Sequence, residues 1–337
     1  MADMTRRERI KAALAGKSVD RPPVALWRHW PVDDQNAEAL AERALDFRSR
    51  YDWDLIKIPP SSTYCVDDYG AKHEYQAKPI GRWMLGERNY TDRVIKHIED
   101  WDRIGPLNVN RGTYGRMLQT LRIVIERREP ETPVIQTVFN PIGMARYLAG
   151  DETYITHLRR DPQRLERALS ALAETCVNFV SASITEGADG IFLSTAAASF
   201  DVMSVVEYKQ FGRPYDLTVI SAAAGAWFNV LHIHGQYPMF IELSDYPVHA
   251  INWHDRSAGP CLKDASSMFK GALMGGIEQY LTLHFGNPAD VESQIHDAIR
   301  QMNGRRLIVS AGCTYPITVP IGNLLTARRA VETIEVR

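Results

Sequence analysis

The strongest constraint on the fold is a recurring order of elements, in which an apolar, β-branched segment is followed by a polar or Gly/Pro cluster and an amphipathic stretch. Eight segments are predicted strands: Pro23–Trp30, Asp54–Pro59, Pro133–Phe139, Gly190–Thr195, Phe228–His234, Ala250–His254, Ala272–Gly276 and Leu307–Gly312. The clearest helical patterns are Ala37–Arg50, Arg116–Arg128, Pro162–Glu186, Ala289–Met302 and Ile321–Thr333. Alternating strands and helices favour a parallel sheet with helices outside it. Eight such strands predict an α/β fold of the (β/α)8 TIM-barrel type.

One barrel domain accounts for the whole chain of 337 residues, because TIM barrels run from about 200 to more than 400 residues. The stretch around residues 60–114 is long for a connection between a strand and a helix, and it is rich in aromatic and charged residues. Long connections of this kind are often lids or binding loops. We therefore expect a single domain over residues 1–337 with an insertion over the barrel mouth.

Composition narrows the classes of partner. The net charge is −2 and no basic stripe is present, which argues against nucleic acid and anionic membranes. No apolar run reaches the roughly 18 residues of a membrane span. The four cysteines are far apart and form no CxxC, which indicates reduced thiols and a cytoplasmic location. We expect a small-molecule substrate, and the sequence leaves a homodimer open.

The strongest local signal is His232 and His234, at the end of the fifth predicted strand. Side chains alternate across a strand, so both imidazoles share one face. At a separation of roughly 6.5–7 Å along the strand, they can converge on one metal ion if the strand end bends. Gly235 permits that bend. The alternative is a pair of core histidines satisfied by hydrogen bonds.

Cys313 is the second signal, because it follows the eighth predicted strand. Strand ends meet around the mouth of a barrel, so Cys313 could reach the same ion as His232 and His234. Two histidines, one cysteine and an open position form a catalytic zinc arrangement. The alternative for Cys313 is a small apolar side chain in the core.

Other polar residues follow strands where barrel enzymes keep their chemistry. Candidates for substrate binding and catalysis are Arg28, His29 and Trp30 after the first predicted strand, Asn140 after the third, and Asn252 and His254 at the sixth. Any of these residues could instead cap the helix that follows.

Five segments, taken together, resemble the uroporphyrinogen decarboxylase-like superfamily over nearly the full chain. They are the opening Arg7–Val24, the segment Phe139–Gly150, Gly187–Phe192, the pair Gly275–Gly276 and the ending Ser310–Pro316. Their order and spacing carry the resemblance, which implies the TIM barrel independently of the strand pattern.

The resemblance also separates two chemistries. True decarboxylases act on porphyrinogens without a metal, and their strand-one signature Arg-Gln-Ala-Gly-Arg is matched here by Arg28–Val32, which keeps only the first arginine. Their acidic residue falls near Pro60 or Ser61, and their tyrosine is matched by Tyr147. Their C-terminal histidine falls at or near Cys313. Without the second arginine and the acidic residue, much of the charge-assisted binding of a tetrapyrrole is lost, which argues against porphyrinogen decarboxylation.

The other branch contains zinc methyltransferases that move methyl groups between a methylcobamide carrier and a thiol such as coenzyme M. Their ligands are similar to a His-x-Cys after strand five and a Cys after strand eight, where this chain has His232, His234 and Cys313. An imidazole in place of a thiolate leaves zinc more positive, which lowers the pKa of a bound thiol further. It also makes the thiolate a weaker nucleophile and favours Lewis-acid action on an oxygen.

The resemblance thus implies a zinc-dependent methyltransferase or demethylase with Zn2+ as cofactor. The Asp-x-His-x-x-Gly motif of corrinoid modules is missing, so the corrinoid would come from a separate carrier protein or from free cobalamin. One alternative is a metal-free decarboxylase or lyase on a small or aromatic carboxylic acid, with Arg28 holding the carboxylate and Tyr147 or His254 handling the proton. Another is a non-catalytic barrel that binds a corrinoid or other ligand.

Overall fold

The computed structural model describes residues 3–75 and 88–333. The strands are Ile56–Lys57 (β1), Lys72–Tyr75 (β2), Arg88–Asp92 (β3), Val134–Phe139 (β4), Gly190–Thr195 (β5), Val230–Ile233 (β6), Ala250–Trp253 (β7), Ala272–Ile277 (β8) and Leu307–Ala311 (β9). The helices are Arg6–Leu14 (α1), Ala37–Tyr51 (α2), Tyr64–Asp67 (α3), Gly112–Arg127 (α4), Pro141–Ala149 (α5), Asp151–Arg160 (α6), Pro162–Thr185 (α7), Val205–Phe211 (α8), Arg213–Ser221 (α9), Phe240–Leu243 (α10), Leu262–Met268 (α11), Pro288–Gln301 (α12) and Ile321–Arg329 (α13). Short 3-10 helices occur at Asp33–Gln35 and Ile98–Arg103.

Seven strands form one curled parallel sheet in the order β1-β4-β5-β6-β7-β8-β9. Its strands are buried on both faces, as expected where helices cover a parallel sheet. Seven of the predicted strands correspond to these elements, and Gly190–Thr195 has the bounds that the sequence predicts. The α/β class is therefore present as a half-barrel.

The first predicted strand, Pro23–Trp30, differs from the prediction. Only Val24 bridges β9, through Val309, whose N–H donates to Pro23 at 2.8 Å. The Val24 carbonyl also accepts from the N–H of Asp54 at 2.9 Å. Pro23 has no N–H to donate to a ladder, and the residues after Val24 form no regular strand. The eighth strand of a closed barrel is thus reduced to one bridge.

The connection between β1 and β4 has structure of its own. It contains α3, an antiparallel hairpin of β2 and β3, a 3-10 helix and the start of α4. The predicted insertion around residues 60–114 covers these elements, and its residues 76–87 lie outside the described part of the chain. The Ala-rich stretch 205–225 forms two helices, α8 and α9, which meet at Gly212.

Helix α7 is the longest described helix and packs against α5 and α9. Its length and apolar composition would allow it to cross a membrane, although 50% of the relevant window is buried inside the protein. A core helix has the same properties, so this feature is weak evidence for a span. The sequence predicts no membrane-spanning segment, because no apolar run reaches about 18 residues.

Candidate metal site and substrate cavity

Four side chains meet at the carboxyl ends of β6, β7 and β9. His232 lies in β6 and His234 directly follows that strand, while His254 follows β7 and Cys313 follows β9. The carboxyl ends of parallel strands share one edge of the sheet, which brings these residues together across the sequence. Gly235 adopts a φ of 133°, a conformation that favours glycine, so the chain turns at the point where the sequence predicts a bend.

The potential ligand atoms of this cluster all lie within 4.8 Å of one another. His254 Nε2 is 3.4 Å from His234 Nδ1, and Cys313 Sγ is 3.8 Å from that same nitrogen. The side chains of His232 and His254 are buried, Cys313 is half-buried and His234 is exposed. Imidazole nitrogens and a thiolate are the donors that zinc prefers, so the chemistry and spacing of this set fit one such ion.

Asn252 fixes the orientation of His232. Its Oδ1 lies 2.6 Å from His232 Nδ1, and its Nδ2 donates to the carbonyls of Met274 at 2.8 Å and Ala311 at 3.1 Å. Since the amide oxygen can only accept, Nδ1 carries the proton and Nε2 keeps its lone pair. Partners of this kind set the tautomer of metal-binding histidines. The sequence predicts Asn252 to bind substrate, whereas its hydrogen bonds here are with His232, the hydroxyl of Ser310 and the backbone.

His254 has a similar partner in Gln279, whose Nε2 lies 2.9 Å from His254 Nδ1. If the amide is turned so that its oxygen accepts from Nδ1, the lone pair of Nε2 faces the cluster. Gln279 is almost fully buried and carries no pattern in the sequence that would reveal it. His254 itself is predicted to handle a proton, but it lies among the possible metal ligands.

Charges around the cluster favour the state that binds metal. Burial alone would raise the pKa of the Cys313 thiol, but the charge of His232 and hydrogen bonds with His232, His234 and His254 outweigh burial and hold that pKa well below its ordinary value. Burial lowers the pKa of His232, and the charge of Cys313 opposes that fall. The low pKa of Cys313 favours the thiolate, which is the form of cysteine that binds a metal ion.

A cavity of about 100 Å3 opens beside the cluster. It is lined by His232, His234 and Cys313, and also by His29 and Tyr147, two residues predicted to contact substrate. The other aromatic side chains of its wall are Trp27, Phe139 and Phe192. The structure thus brings two of the predicted catalytic and substrate residues to the edge of the candidate metal site.

Lys57, at the end of β1, also lines this cavity and is not among the site residues that the sequence predicts. Its Nζ lies 4.7 Å from the ring centre of Phe192 and 5.5 Å from that of Trp27. Burial lowers the pKa of the amine to about 7. A charged residue inside the apolar strand run Asp54–Pro59 is the signal that could have identified it.

Three other predicted site residues lie elsewhere. The guanidinium of Arg28 donates to the carbonyl of Ile317 at 2.6 Å and lies over the Trp30 ring at 4.0 Å. Both residues line a separate cavity of about 590 Å3. Asn140 caps α5 by accepting from the N–H of Gly143 at 3.1 Å, and it donates to Asp216 at 2.9 Å. None of these contacts reaches the cluster.

Comparison with known proteins agrees with this architecture. The family described as uroporphyrinogen decarboxylase (URO-D) matches residues 5–334. The methylcobamide:CoM methyltransferase MtbA of Methanosarcina mazei is 24% identical over 344 residues, which cover 96% of each chain. A uroporphyrinogen decarboxylase of a Synechococcus species is 21% identical over 328 residues, 89% of each chain. The similarity is therefore greater to the methyltransferases.

A solved structure of a methyltransferase from Methanosarcina mazei superimposes with a TM-score of 0.85 at 21% identity. The match covers 98% of this chain and 99% of the other. At this level of identity, the likeness establishes a shared fold.

Proposed function

The chain belongs to the uroporphyrinogen decarboxylase (URO-D) family, and from that premise we propose that it is a zinc-dependent methyltransferase or demethylase whose methyl partner is a corrinoid or a thiol. Its relatives of both kinds are enzymes, and this chain is an enzyme of the same family. The greater similarity to methylcobamide:CoM methyltransferases supports a corrinoid-linked methyl transfer.

The observation that carries the proposal is the cluster of three histidines and one cysteine with ligand atoms within 4.8 Å. Three neutral imidazoles and one thiolate carry a single negative charge, so a zinc ion bound there would remain positive and would promote ionisation of a thiol or polarise an oxygen. A metal-free reaction would not require these four donors to lie together at the carboxyl edge of the sheet.

The residues of the chain have separable tasks in this proposal. Asn252 holds the ring of His232 and Gln279 holds the ring of His254, so two of the donors are oriented before any ligand binds. The aromatic wall of the cavity, which includes Phe192 and Trp27, limits water around the reacting atoms. The corrinoid would be supplied by a carrier protein or as free cobalamin.

Metal content tests the first half of the proposal. Protein purified without a metal-binding tag should contain about one zinc ion per chain, measured by plasma mass spectrometry. The double variant His232→Ala/His234→Ala should lose it. His284→Ala is a matched control, because His284 bonds to Thr318 outside the cluster. A wild-type protein without stoichiometric metal would remove the zinc mechanism.

Methyl transfer tests the second half. With free methylcobalamin and a thiol under anaerobic conditions, sulfur takes the methyl group and cobalt retains the electron pair of the broken bond, which changes the visible spectrum. We expect this change with the wild-type protein and with His284→Ala, and not with the double variant. Equal rates in all three proteins would contradict the proposal.

We further propose a cytoplasmic location. All four cysteines are free thiols, and two of them, Cys65 and Cys176, are buried. Reduced cysteines are typical of cytoplasmic proteins.

A further inference from the structure

We propose that the cavity of about 590 Å3 between α2 and α13 is a second ligand site, which takes a small molecule with a flat apolar body and one carboxylate, and that Arg28 holds the carboxylate. This inference goes beyond the proposed methyl transfer and does not depend on it. The cavity shares no lining residue with the cavity beside the histidine and cysteine cluster.

Four consecutive residues separate the two cavities. Trp27 and His29 line the cavity beside the cluster, whereas Arg28 and Trp30 line the larger one. Side chains of an extended chain alternate in this way between its two sides. The larger cavity is therefore a separate site and not an extension of the candidate metal site.

The guanidinium of Arg28 has few partners within the protein. Nη1 donates to the carbonyl of Ile317 at 2.6 Å, whereas Nε is buried and has no hydrogen-bond partner. A guanidinium carries five N–H donors, so the part of the chain that the structure describes leaves most of them unused. A carboxylate in the cavity would accept from this group in the forked geometry that arginine favours.

The charged side chains that line the cavity give it an excess of positive charge. They are Arg28, Arg43, Arg50 and Asp46. Arg43 pairs with Asp33 at 2.8 Å, but neither Arg28 nor Arg50 forms an ion pair within residues 3–75 and 88–333. Burial and the like charge of Arg43 both disfavour the charged form of Arg28. An anionic ligand would relieve this repulsion, whereas a cationic ligand would add to it.

The rest of the wall suits a flat apolar body. The guanidinium of Arg28 lies over the Trp30 ring at 4.0 Å, and Trp30 contacts Phe47 edge-on at 5.6 Å between ring centres. The aliphatic side chains of the wall are Ile317, Val319, Ile321 and Leu324. Ile321 is 50% exposed, so a bound ligand would cover apolar surface that now meets water. A volume of about 590 Å3 lies within the range of about 300–1,000 Å3 that is typical of small-molecule sites.

Calorimetric titration with indole-3-acetate and its uncharged amide, indole-3-acetamide, tests the inference. Wild-type protein should bind the acid about tenfold or more tightly than the amide, as expected for a charge-assisted hydrogen bond. In Arg28→Met, this preference should vanish while the affinity for the amide is retained, which also shows that the variant is folded. Arg103→Met changes a side chain that is 83% exposed and should behave as wild type.

Two further variants make the test specific to this cavity. Arg50→Met, at an exposed position of the same wall, should reduce the preference by up to about fivefold, as expected for an exposed charge. The double variant His232→Ala/His234→Ala should bind both compounds as the wild type does, because the cluster lies outside the cavity. Loss of the acid's affinity in that double variant would place the compound at the cluster and overturn the inference. A preference that survives in Arg28→Met would also overturn it, as would a wild-type protein that binds neither compound or binds both equally.

Discussion

One short segment of chain carries two buried charges that the fold treats in opposite ways. Asp54, just before β1, is fully buried, and Lys57, at the end of β1, is 9% exposed. Asp54 lies towards the amino ends of the strands and is surrounded by cations, whereas Lys57 lies at the carboxyl ends and has aromatic neighbours. The difference shows which end of the sheet maintains the fold and which end is available for chemistry.

Every oxygen of Asp54 has donors. Arg9 donates to Oδ1 at 2.7 Å, Arg21 donates to Oδ2 at 2.7 Å and to Oδ1 at 3.0 Å, and the N–H of Val24 donates to Oδ2 at 2.8 Å. Arg9 also forms a bidentate pair with Asp20. These bonds connect α1, the bridge at Val24 and β1, so the carboxylate holds the amino-terminal face of the sheet together.

The first prediction concerns the paired end. Asp54→Asn leaves Arg9 and Arg21 without their shared buried carboxylate, and breaking a buried pair on one side costs about 3–5 kcal/mol. We expect the free energy of unfolding, measured in denaturant, to fall by that amount. Glu152→Gln changes an exposed acid and should shift it by less than about 0.5 kcal/mol. A similar loss in the free energy of unfolding in both variants would mean that Asp54 stabilises the fold no more than an exposed acid does.

The second prediction concerns Lys57, whose replacement should stabilise the protein rather than destabilise it. Burial lowers the pKa of Lys57 from 10.5 to about 7 in the folded protein. The unfolded chain therefore binds more protons between these values, so stability rises with pH across this window. Each pH unit of difference corresponds to about 1.4 kcal/mol. Near pH 7, Lys57→Met should therefore stabilise the protein by about 4 kcal/mol.

Thermal or denaturant unfolding at several pH values measures this effect. The gain from Lys57→Met should be largest below about pH 7 and should shrink towards pH 10.5, where the unfolded amine also loses its proton. Lys270→Met serves as the exposed control. A loss of stability in Lys57→Met at neutral pH would mean that the amine is already satisfied in the folded protein.

The sequence could predict the convergence at the carboxyl ends because two simple rules determine it. Residues two apart on a strand share a face, and the carboxyl ends of parallel strands lie at one edge of the sheet. From these rules the sequence predicts that His232, His234 and Cys313 lie close together. The same patterns located seven strands of the sheet, with Gly190–Thr195 at its observed bounds.

The positions of the other candidate site residues depend on structural features that these two rules do not describe. Alternation assigns Arg28 and Trp30 to a strand, but regular pairing stops at Val24, so their side chains turn into another cavity. His254 could be placed at a strand end but not at its 3.4 Å from His234, because the curl of the sheet sets that distance. Lys57 could not be assigned to the site from the sequence, because the sequence does not show which cationic side chains have a carboxylate partner.

The third prediction has the smallest expected effect and tests whether Asn252, at the carboxyl ends of the strands, contributes to metal binding or only to the stability of the fold. Asn252→Ala removes the acceptor that orients His232, and loss of such a partner typically weakens metal affinity about 10–100-fold. Asn140→Ala is the matched control, since Asn140 is an equally buried amide that bonds to Asp216 and caps α5. Competition with a zinc chelator should separate the two variants even if both unfold at lower denaturant concentration. Equal zinc affinity in the Asn140 and Asn252 alanine variants would mean that Asn252 stabilises the fold and does not orient a metal ligand.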